Sequence, residues 1–120
     1  MKVLVVDDEA DVRLLFEQRF RREVRAGQLT FYFALSGEEA LTLLEQVGAD
    51  VTLILSDINM PGMNGLDLLK AVKEKHRHLR VFMITAYDNT EYQQRAAAYG
   101  CDEYLTKPLD FGLLKEKLLA

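Results

Sequence analysis

The sequence lacks the residues and runs that mark secreted or membrane proteins. It has a single cysteine, Cys101, so an internal disulfide is impossible, which fits a reducing cytosol. No stretch approaches the ~20 consecutive apolar residues of a membrane span. The Met-Lys start runs straight into an apolar strand and leaves no room for a signal peptide. We therefore expect a cytoplasmic protein without a membrane segment.

Basic charge and catalytic histidine are also scarce. The chain has 15 lysines and arginines against 19 aspartates and glutamates, a net charge of −4, which gives no electrostatic case for direct nucleic-acid contact. Its histidines, His76 and His78, lie in a charged stretch, and nothing resembles a Ser–His–Asp or Cys–His arrangement. The glycines form no phosphate-cradling pattern after the first apolar run. These absences exclude several common enzyme classes.

What is present is a regular alternation of apolar runs and amphipathic windows over 120 residues, a length that suits one domain. Runs that are apolar throughout are typical of a parallel sheet covered on both faces. The pattern therefore predicts an α/β doubly wound fold with a five-stranded parallel sheet. The predicted strands are Val3–Val6, Phe31–Leu35, Val51–Leu55, Val81–Thr85 and Glu103–Leu105.

Five helical windows lie between and after these runs. The first carries apolar residues at helical spacing up to Val24, and Gly27 is expected to end it. Ser36 and Glu39 form a capping-box pattern that opens the second. The fourth window, Asn89–Tyr99, has the weakest apolar pattern, and we expect it to be the most mobile. The remaining windows are marked by Leu68 to Val72 and by Phe111 to Leu118.

Acidic residues follow two of the apolar runs. Asp7 and Asp8 come after the first strand, and Asp57 comes after the third. In open α/β sheets ligands bind beyond the carboxyl ends of the strands, so these carboxylates are expected to share one pocket. Like charges at close range oppose one another's ionisation unless a cation neutralises them, and all-oxygen ligation suits Mg²⁺. The sequence therefore predicts a Mg²⁺ site.

Two more polar residues follow strands at the same predicted edge. Thr85 ends the fourth run and Lys107 follows the fifth. A carboxylate beside a metal can accept a phosphoryl group as an acyl phosphate, and a lysine and a hydroxyl can bind the phosphoryl oxygens. Each residue also has an ordinary explanation: a helix-dipole partner for Asp7 and Asp8, a turn aspartate for Asp57, a strand end for Thr85 and a surface lysine for Lys107.

Four segments together resemble the receiver domain of two-component response regulators. They are VLVVDDE, DINMPGMNG, MITAY and LTKP, and they occur in that family's order and spacing over essentially the whole chain. The resemblance implies a flavodoxin-like (CheY-like) fold with strand order 2-1-3-4-5 and five helices. It also implies a single receiver domain over residues 1–120, either a stand-alone regulator or, as we favour, one trimmed from a longer regulator.

The resemblance implies a role for each matching residue. Asp57 is the phosphoacceptor, Asp8 a direct Mg²⁺ ligand and Asp7 a ligand through water. Asn59 gives its backbone carbonyl to the metal, and Tyr87 borders the site and tunes the lifetime of the phosphoryl group, as does the Asn59 side chain. Further implied members are the switch residues Thr85 and Tyr104, the phosphoryl-binding Lys107 and a cis Lys107–Pro108 peptide bond.

The implied function is a signalling switch that is not an enzyme with an external substrate. A histidine kinase or phosphotransfer protein donates the phosphoryl group. The surface of the fourth helix, fifth strand and fifth helix then changes to control an output domain, a downstream protein or a phosphorylation-dependent homodimer. The arginines of the first helix, among them Arg21 and Arg22, form either a solvated face or a docking surface for an acidic kinase.

Two other functions remain open at this point. One is a Mg²⁺-dependent phosphohydrolase with an aspartyl nucleophile, since Asp57-x-Asn59 faintly resembles the acidic pair of the haloacid dehalogenase family, although that family's next motif and cap domain are missing. The other is a flavodoxin-type cofactor binder. It requires hydroxyl- and glycine-rich contacts after the first strand, where Asp7 and Asp8 stand instead.

Overall fold

The computed structural model describes residues 1–48, 50–86 and 89–119. Its centre is a parallel five-stranded sheet in the order β2-β1-β3-β4-β5, which confirms the predicted topology. Tyr87, expected to border the site, lies outside the described residues. The strands are β1 (Lys2–Val6), β2 (Thr30–Ala34), β3 (Leu53–Asp57), β4 (Arg80–Thr85) and β5 (Glu103–Thr106).

Helices cover both faces of the sheet, as expected for strands that are apolar throughout. Within the described residues none of the helices is both long and apolar enough to cross a membrane. The helices are α1 (Asp11–Arg19), α2 (Arg21–Arg25), α3 (Gly37–Val47), α4 (Gly65–Lys75), α5 (Thr90–Ala98) and α6 (Phe111–Leu119).

The prediction of five helices was wrong in the described chain, because the first window is broken at Phe20. Phe20 has φ −111° and ψ 20°, outside the helical range, so α2 begins with a new phase. As a result Glu23 is buried and pairs with Lys115, with Nζ and Oε2 3.1 Å apart, whereas Val24 is 42% exposed. The fully buried Phe20 ring contacts Phe16, which favours this bend.

The two faces of the sheet carry separate cores. Because side chains alternate along a strand, Leu53 and Leu55 of β3 belong to one core and Ile54 to the other. The core around Phe16 and Phe20, here called the α1/α6 core, lies under α1 and α6. The second, here called the α3–α5 core, includes buried residues of all three helices α3, α4 and α5.

Strand β3 lies two residues later than predicted. The expected Val51–Leu55 is replaced by Leu53–Asp57, because the parallel pairing with β1 starts at Val3↔Leu53 and the pairing with β4 ends at Asp57↔Ile84. The polar Ser56 and Asp57 therefore belong to the strand. Asp57 continues the alternation of Leu53 and Leu55, which directs it to the α1/α6 face.

A short loop joins β3 to α4 and is fixed at both ends. The Ile58 amide donates to the Ile84 carbonyl at 3.0 Å, and the Gly65 amide donates to the Ile58 carbonyl at 2.8 Å. Asn64 and Asp67 form a reciprocal capping box that the sequence analysis did not foresee. The expected cap of α3 is present in one direction, with the Ser36 side chain accepting from the Glu39 amide.

The start of α4 tolerates only glycine at position 65. A Cβ built on Gly65 would lie 2.1 Å from the backbone oxygen of Asp57, whereas a Cβ on Gly27 meets nothing within 4 Å. We expect Gly65→Ala to lower the free energy of unfolding by about 3 kcal/mol through overpacking against backbone. The control Gly27→Ala, strained only by φ +75°, should cost about 1 kcal/mol. Urea denaturation measures both, and equal losses would contradict the packing argument.

Candidate functional site

The sheet edge brings together the acidic residues that the sequence singled out. Asp7 follows β1 and Asp57 ends β3, and each is only 7% exposed. Asp8 is exposed on the rim. One carboxylate oxygen from each of the three lies within 4.8 Å of the others. The predicted convergence of these carboxylates is therefore present in the structure.

Lys107 lies between the two buried carboxylates. Its Nζ is 3.2 Å from Asp57 Oδ2 and 3.4 Å from Asp7 Oδ2. The backbone holds it there, since the Lys107 amide donates to the Thr85 carbonyl at 2.8 Å. The Lys107–Pro108 peptide bond is cis. One ammonium group thus bridges carboxylates at the ends of two strands, and charge-assisted hydrogen bonds of this kind are stronger than neutral ones.

The charges perturb each other. Burial raises the pKa of the Asp57 carboxyl above its usual value and Asp7 adds to this, although Lys107 opposes it. Burial by itself would lower the pKa of Lys107, but Asp57 and Asp7 together hold it above its usual value. Lys107 is therefore positively charged at neutral pH, and its charge favours the ionised form of Asp57.

Backbone amides orient both buried carboxylates. The Glu9 amide donates to Asp7 Oδ1 at 2.9 Å, and the Asn59 amide donates to Asp57 Oδ1 at 3.4 Å. Both contacts join residues two positions apart, the spacing of an Asx turn. The sequence analysis missed these donors, although the Asp-x-Glu and Asp-x-Asn spacings are a detectable signal. They leave the remaining carboxylate oxygen of each residue for Lys107.

Asn59 begins the loop after β3, next to the acidic cluster. Its side-chain Nδ2 is buried and makes no hydrogen bond within the part of the chain that the structure describes. Its role as a carbonyl ligand stays a prediction. The donors gathered here are carboxylate oxygens, the chemistry that Mg²⁺ prefers, so the site can hold such an ion.

The expected switch residues lie on the other face of the sheet. Thr85 ends β4 and is fully buried, and Tyr104 of β5 is partly buried against the α3–α5 core. Thr85 pairs with Thr106, and Tyr104 pairs with Met83, in the β4–β5 ladder. Thr85 and Tyr104 therefore lie on adjacent strands, two residues apart along the ladder.

A family comparison shows which family the chain belongs to. The model of the response regulator receiver domain matches residues 3–119. The chain belongs to this family. The receiver is thus a module of two-component signalling, and its strand order and acidic cluster agree with that assignment.

The relatives differ in the share of their length that the receiver matches. It is 37% identical to the chemotaxis protein CheY-3 of Vibrio cholerae, over 98% of this chain and 88% of that protein. It is 39% identical to the DNA-binding transcriptional regulator NtrC of Salmonella typhimurium, over 90% of this chain but 22% of that protein. The receiver is therefore similar both to a relative of nearly its own length and to one part of a much longer regulator.

A solved structure shows the same fold. The CheX–CheY–BeF3–Mg²⁺ complex of Borrelia burgdorferi matches with a TM-score of 0.87 and 26% identity, over 99% of this chain and 87% of that one. The flavodoxin-like (CheY-like) fold expected from the motifs is confirmed by this likeness and by the sheet order.

The pKa of Asp57 predicts how its removal affects stability without metal. A carboxyl whose folded pKa is raised stabilises the fold when protonated, and that stability is lost as pH rises through the folded pKa. In EDTA at pH 7, Asp57→Asn should therefore have a higher Tm than the wild type. The difference should shrink towards zero below the ordinary aspartate pKa of about 3.9.

The control for this measurement is Asp50→Asn. Asp50 pairs with Lys2 at 3.5 Å on the surface, where such pairs contribute little, so its Tm should stay near that of the wild type. A Tm for Asp57→Asn equal to or below the wild-type value at pH 7 would contradict the assigned electrostatics. Differential scanning calorimetry across this pH range gives the answer.

Proposed function

We propose that this receiver is a cytoplasmic phosphorelay switch that accepts a phosphoryl group from a histidine kinase or phosphotransfer protein on Asp57. The observation that carries the proposal is the Lys107 ammonium 3.2 Å from Asp57 within a cluster of three carboxylates. Such a cluster is costly to fold, so its presence at the ligand-binding edge favours a chemical role.

In the proposed transfer, an Asp57 oxygen forms a bond to phosphorus as the donor's nitrogen–phosphorus bond breaks. Lys107 moves from the carboxylates to a phosphoryl oxygen, and the Thr85 hydroxyl donates to another. Asp8, Asp57 and the Asn59 carbonyl would hold Mg²⁺ directly, with Asp7 acting through water. When bound, the ion supplies positive charge that offsets the charge of the phosphoryl oxygens. Such an ion also favours the ionised, nucleophilic form of Asp57.

The proposed output is a population shift at the surface of α5, β5 and α6. Phosphorylated Asp57 draws Thr85 towards it and leaves space into which Tyr104 rotates inward. The proposal is supported by the β4–β5 ladder, which holds Thr85 and Tyr104 on adjacent strands. The surface would contact an output domain, a separate downstream protein or a second phosphorylated receiver, and the receiver acts on no external substrate as an enzyme.

Family membership favours this switch over the two alternatives raised by the sequence. A phosphohydrolase would turn over small phosphate esters many times, and a flavodoxin-type binder would purify with a coloured cofactor. The receiver is expected to do neither, because the proposed switch transfers the phosphoryl group to its own Asp57 and acids occupy the end of β1.

The first experiment is intact mass spectrometry after incubation with acetyl phosphate, with and without Mg²⁺. Wild-type receiver should gain one Mg²⁺-dependent phosphoryl adduct that hydroxylamine removes, as expected for an acyl phosphate. Asp57→Asn should gain none, while Asp50→Asn, with its surface carboxylate, should behave like the wild type. An adduct that persists in Asp57→Asn, or no adduct on folded wild-type protein, would refute the assignment.

Thr85→Ala tests the switch separately from the chemistry. Phosphorylation of Asp57 should remain largely intact, whereas the phosphorylation-dependent change at α5, β5 and α6 should weaken. Amide hydrogen exchange with and without acetyl phosphate measures that change. The matched control is Thr106→Ala, since Thr106 is the exposed partner of Thr85 in the β4–β5 ladder. An undiminished exchange response in Thr85→Ala would argue against the coupling.

A further inference from the structure

Strand β2 is one of the two edges of the sheet. In the described part of the chain it pairs with β1 alone, so its outer side presents backbone groups that no strand covers. The Thr30 amide donates to the Met1 carbonyl at 2.9 Å, on the β1 side. Since successive residues of a strand direct their backbone groups to opposite sides, the amides and carbonyls of Phe31 and Phe33 face outwards.

This edge lacks the features that usually keep strands of different molecules from pairing, which are charged side chains, proline and very short length. β2 has the sequence TFYFA, in which no residue is charged, and its three aromatic side chains are only partly buried. The opposite edge, β5, has four residues against the five of β2, carries Glu103 and is followed by Lys107 and Pro108. β2 is therefore the edge suited to pairing with another strand.

The start of β2 carries positive charge. Helix α2, which precedes the strand in the chain, exposes its three arginines, whereas its acid Glu23 is buried and paired with Lys115. The turn between α2 and β2 is fixed, because the amides of Gln28 and Leu29 both donate to the Glu23 carbonyl. The arginines, which are thus held beside the first residues of β2, are Arg21, Arg22 and Arg25.

The end of β2 carries negative charge. Glu38 and Glu39 are exposed in the first turn of α3, the helix that follows the strand, and α3 contains no lysine or arginine. Arg13 also reaches this end, where its guanidinium lies over the Phe33 ring, but it is paired with Glu17 at 3.0 Å. The two ends of β2 therefore differ in the sign of their exposed charge.

We propose that the β2 edge is a self-association surface, at which a second copy of this chain pairs its β2 with this one about a two-fold axis. The axis makes the two strands antiparallel, so that the basic start of one lies beside the acidic end of the other. An axis at Tyr32 places Phe31 opposite Phe33 of the partner subunit, and such a pair exchanges two backbone hydrogen bonds. The sheets of the two copies thereby join into one continuous sheet.

This surface is separate from the phosphoryl switch. It consists of β2 with the exposed ends of α2 and α3, whereas the proposed output surface includes β5, at the other edge of the sheet. The paired strands have five residues each, so the contact is small and the dimer dissociates on dilution. Association should therefore depend on protein concentration and not on acetyl phosphate, and Asp57→Asn should associate as the wild type does.

The test is sedimentation equilibrium without a phosphodonor, on the wild type and on two charge-reversed variants. Arg22→Glu with Arg25→Glu reverses the basic end of β2, and Glu38→Lys with Glu39→Lys reverses the acidic end. Each variant alone should associate about tenfold more weakly, because every end then faces like charge. An equimolar mixture of the two variants should recover association at the wild-type affinity as a heterodimer.

The matched controls make the same changes of net charge at exposed residues of other elements. They are Lys75→Glu with Arg77→Glu, and Glu74→Lys with Glu91→Lys. Both should associate like the wild type, which separates the effect of the β2 ends from that of net charge. Equal dissociation constants for the controls and the β2 variants, or a mixture that stays as weak as its components while circular dichroism shows folded protein, would overturn the proposal.

A second measurement needs no variant. Hydrogen exchange at the outward amides of Phe31 and Phe33, followed by NMR, should slow as the protein concentration rises. The Asp102 amide donates to the Val81 carbonyl at 2.8 Å, so the same alternation directs the Leu105 amide outwards from β5 and makes it the internal control. A protein that stays monomeric, or protection that rises at Leu105 and not at β2, would overturn the proposal and leave the β2 edge open to a strand of another protein.

Discussion

The position of Lys107 between Asp7 and Asp57 is the interaction on which this edge of the sheet depends. Two carboxylates that are 7% exposed and share one pocket would repel each other without a cation. Lys107 follows β5, and β3 and β4 lie between β5 and β1, the strand that Asp7 follows. The Lys107 amide donates a hydrogen bond to the Thr85 carbonyl at the end of β4. The charge balance of the site therefore requires β1, β3, β4 and β5 to be in register.

The sheet also separates two tasks. Alternation along β3 places Asp57 with the α1/α6 core, while Thr85 at the end of β4 lies with the α3–α5 core. The proposed phosphoacceptor thus lies on the first side and the proposed switch residue Thr85 on the second, whereas the proposed partner surface of α5, β5 and α6 takes elements from both. β4 pairs with both β3 and β5, so Thr85 at its end stands between the strand of Asp57 and the strand of Tyr104, which suits its proposed switch role.

Local and repeated signals in the sequence predicted the α/β class and the five parallel strands, whereas the strand order came from the family resemblance. Apolar runs, helical spacing and polar strand ends each pointed to the same sheet, and the acidic cluster followed from the shared edge of parallel strands.

The predictions that failed concern features that depend on contacts between distant parts of the chain. The break at Phe20 has no glycine or proline to mark it and depends on packing of aromatic rings. The late start of β3 depends on pairing with both neighbours, which the isolated Val51–Leu55 run does not contain.

The loop from Asn59 to Asn64 has one more consequence for the molecule. Its neighbours Ile58 and Gly65 are joined directly by a 2.8 Å hydrogen bond, and Ile58 is also tied to β4. The two ends of the loop are thus joined directly to each other. Residues added to the loop would lengthen it while the Gly65–Ile58 hydrogen bond that closes it stays in place. The entropy cost of closing a loop grows only slowly with its length. The exposed residues Pro61 and Gly62 are therefore a natural place to insert a reporter group near Asp57 without displacing β3 or α4.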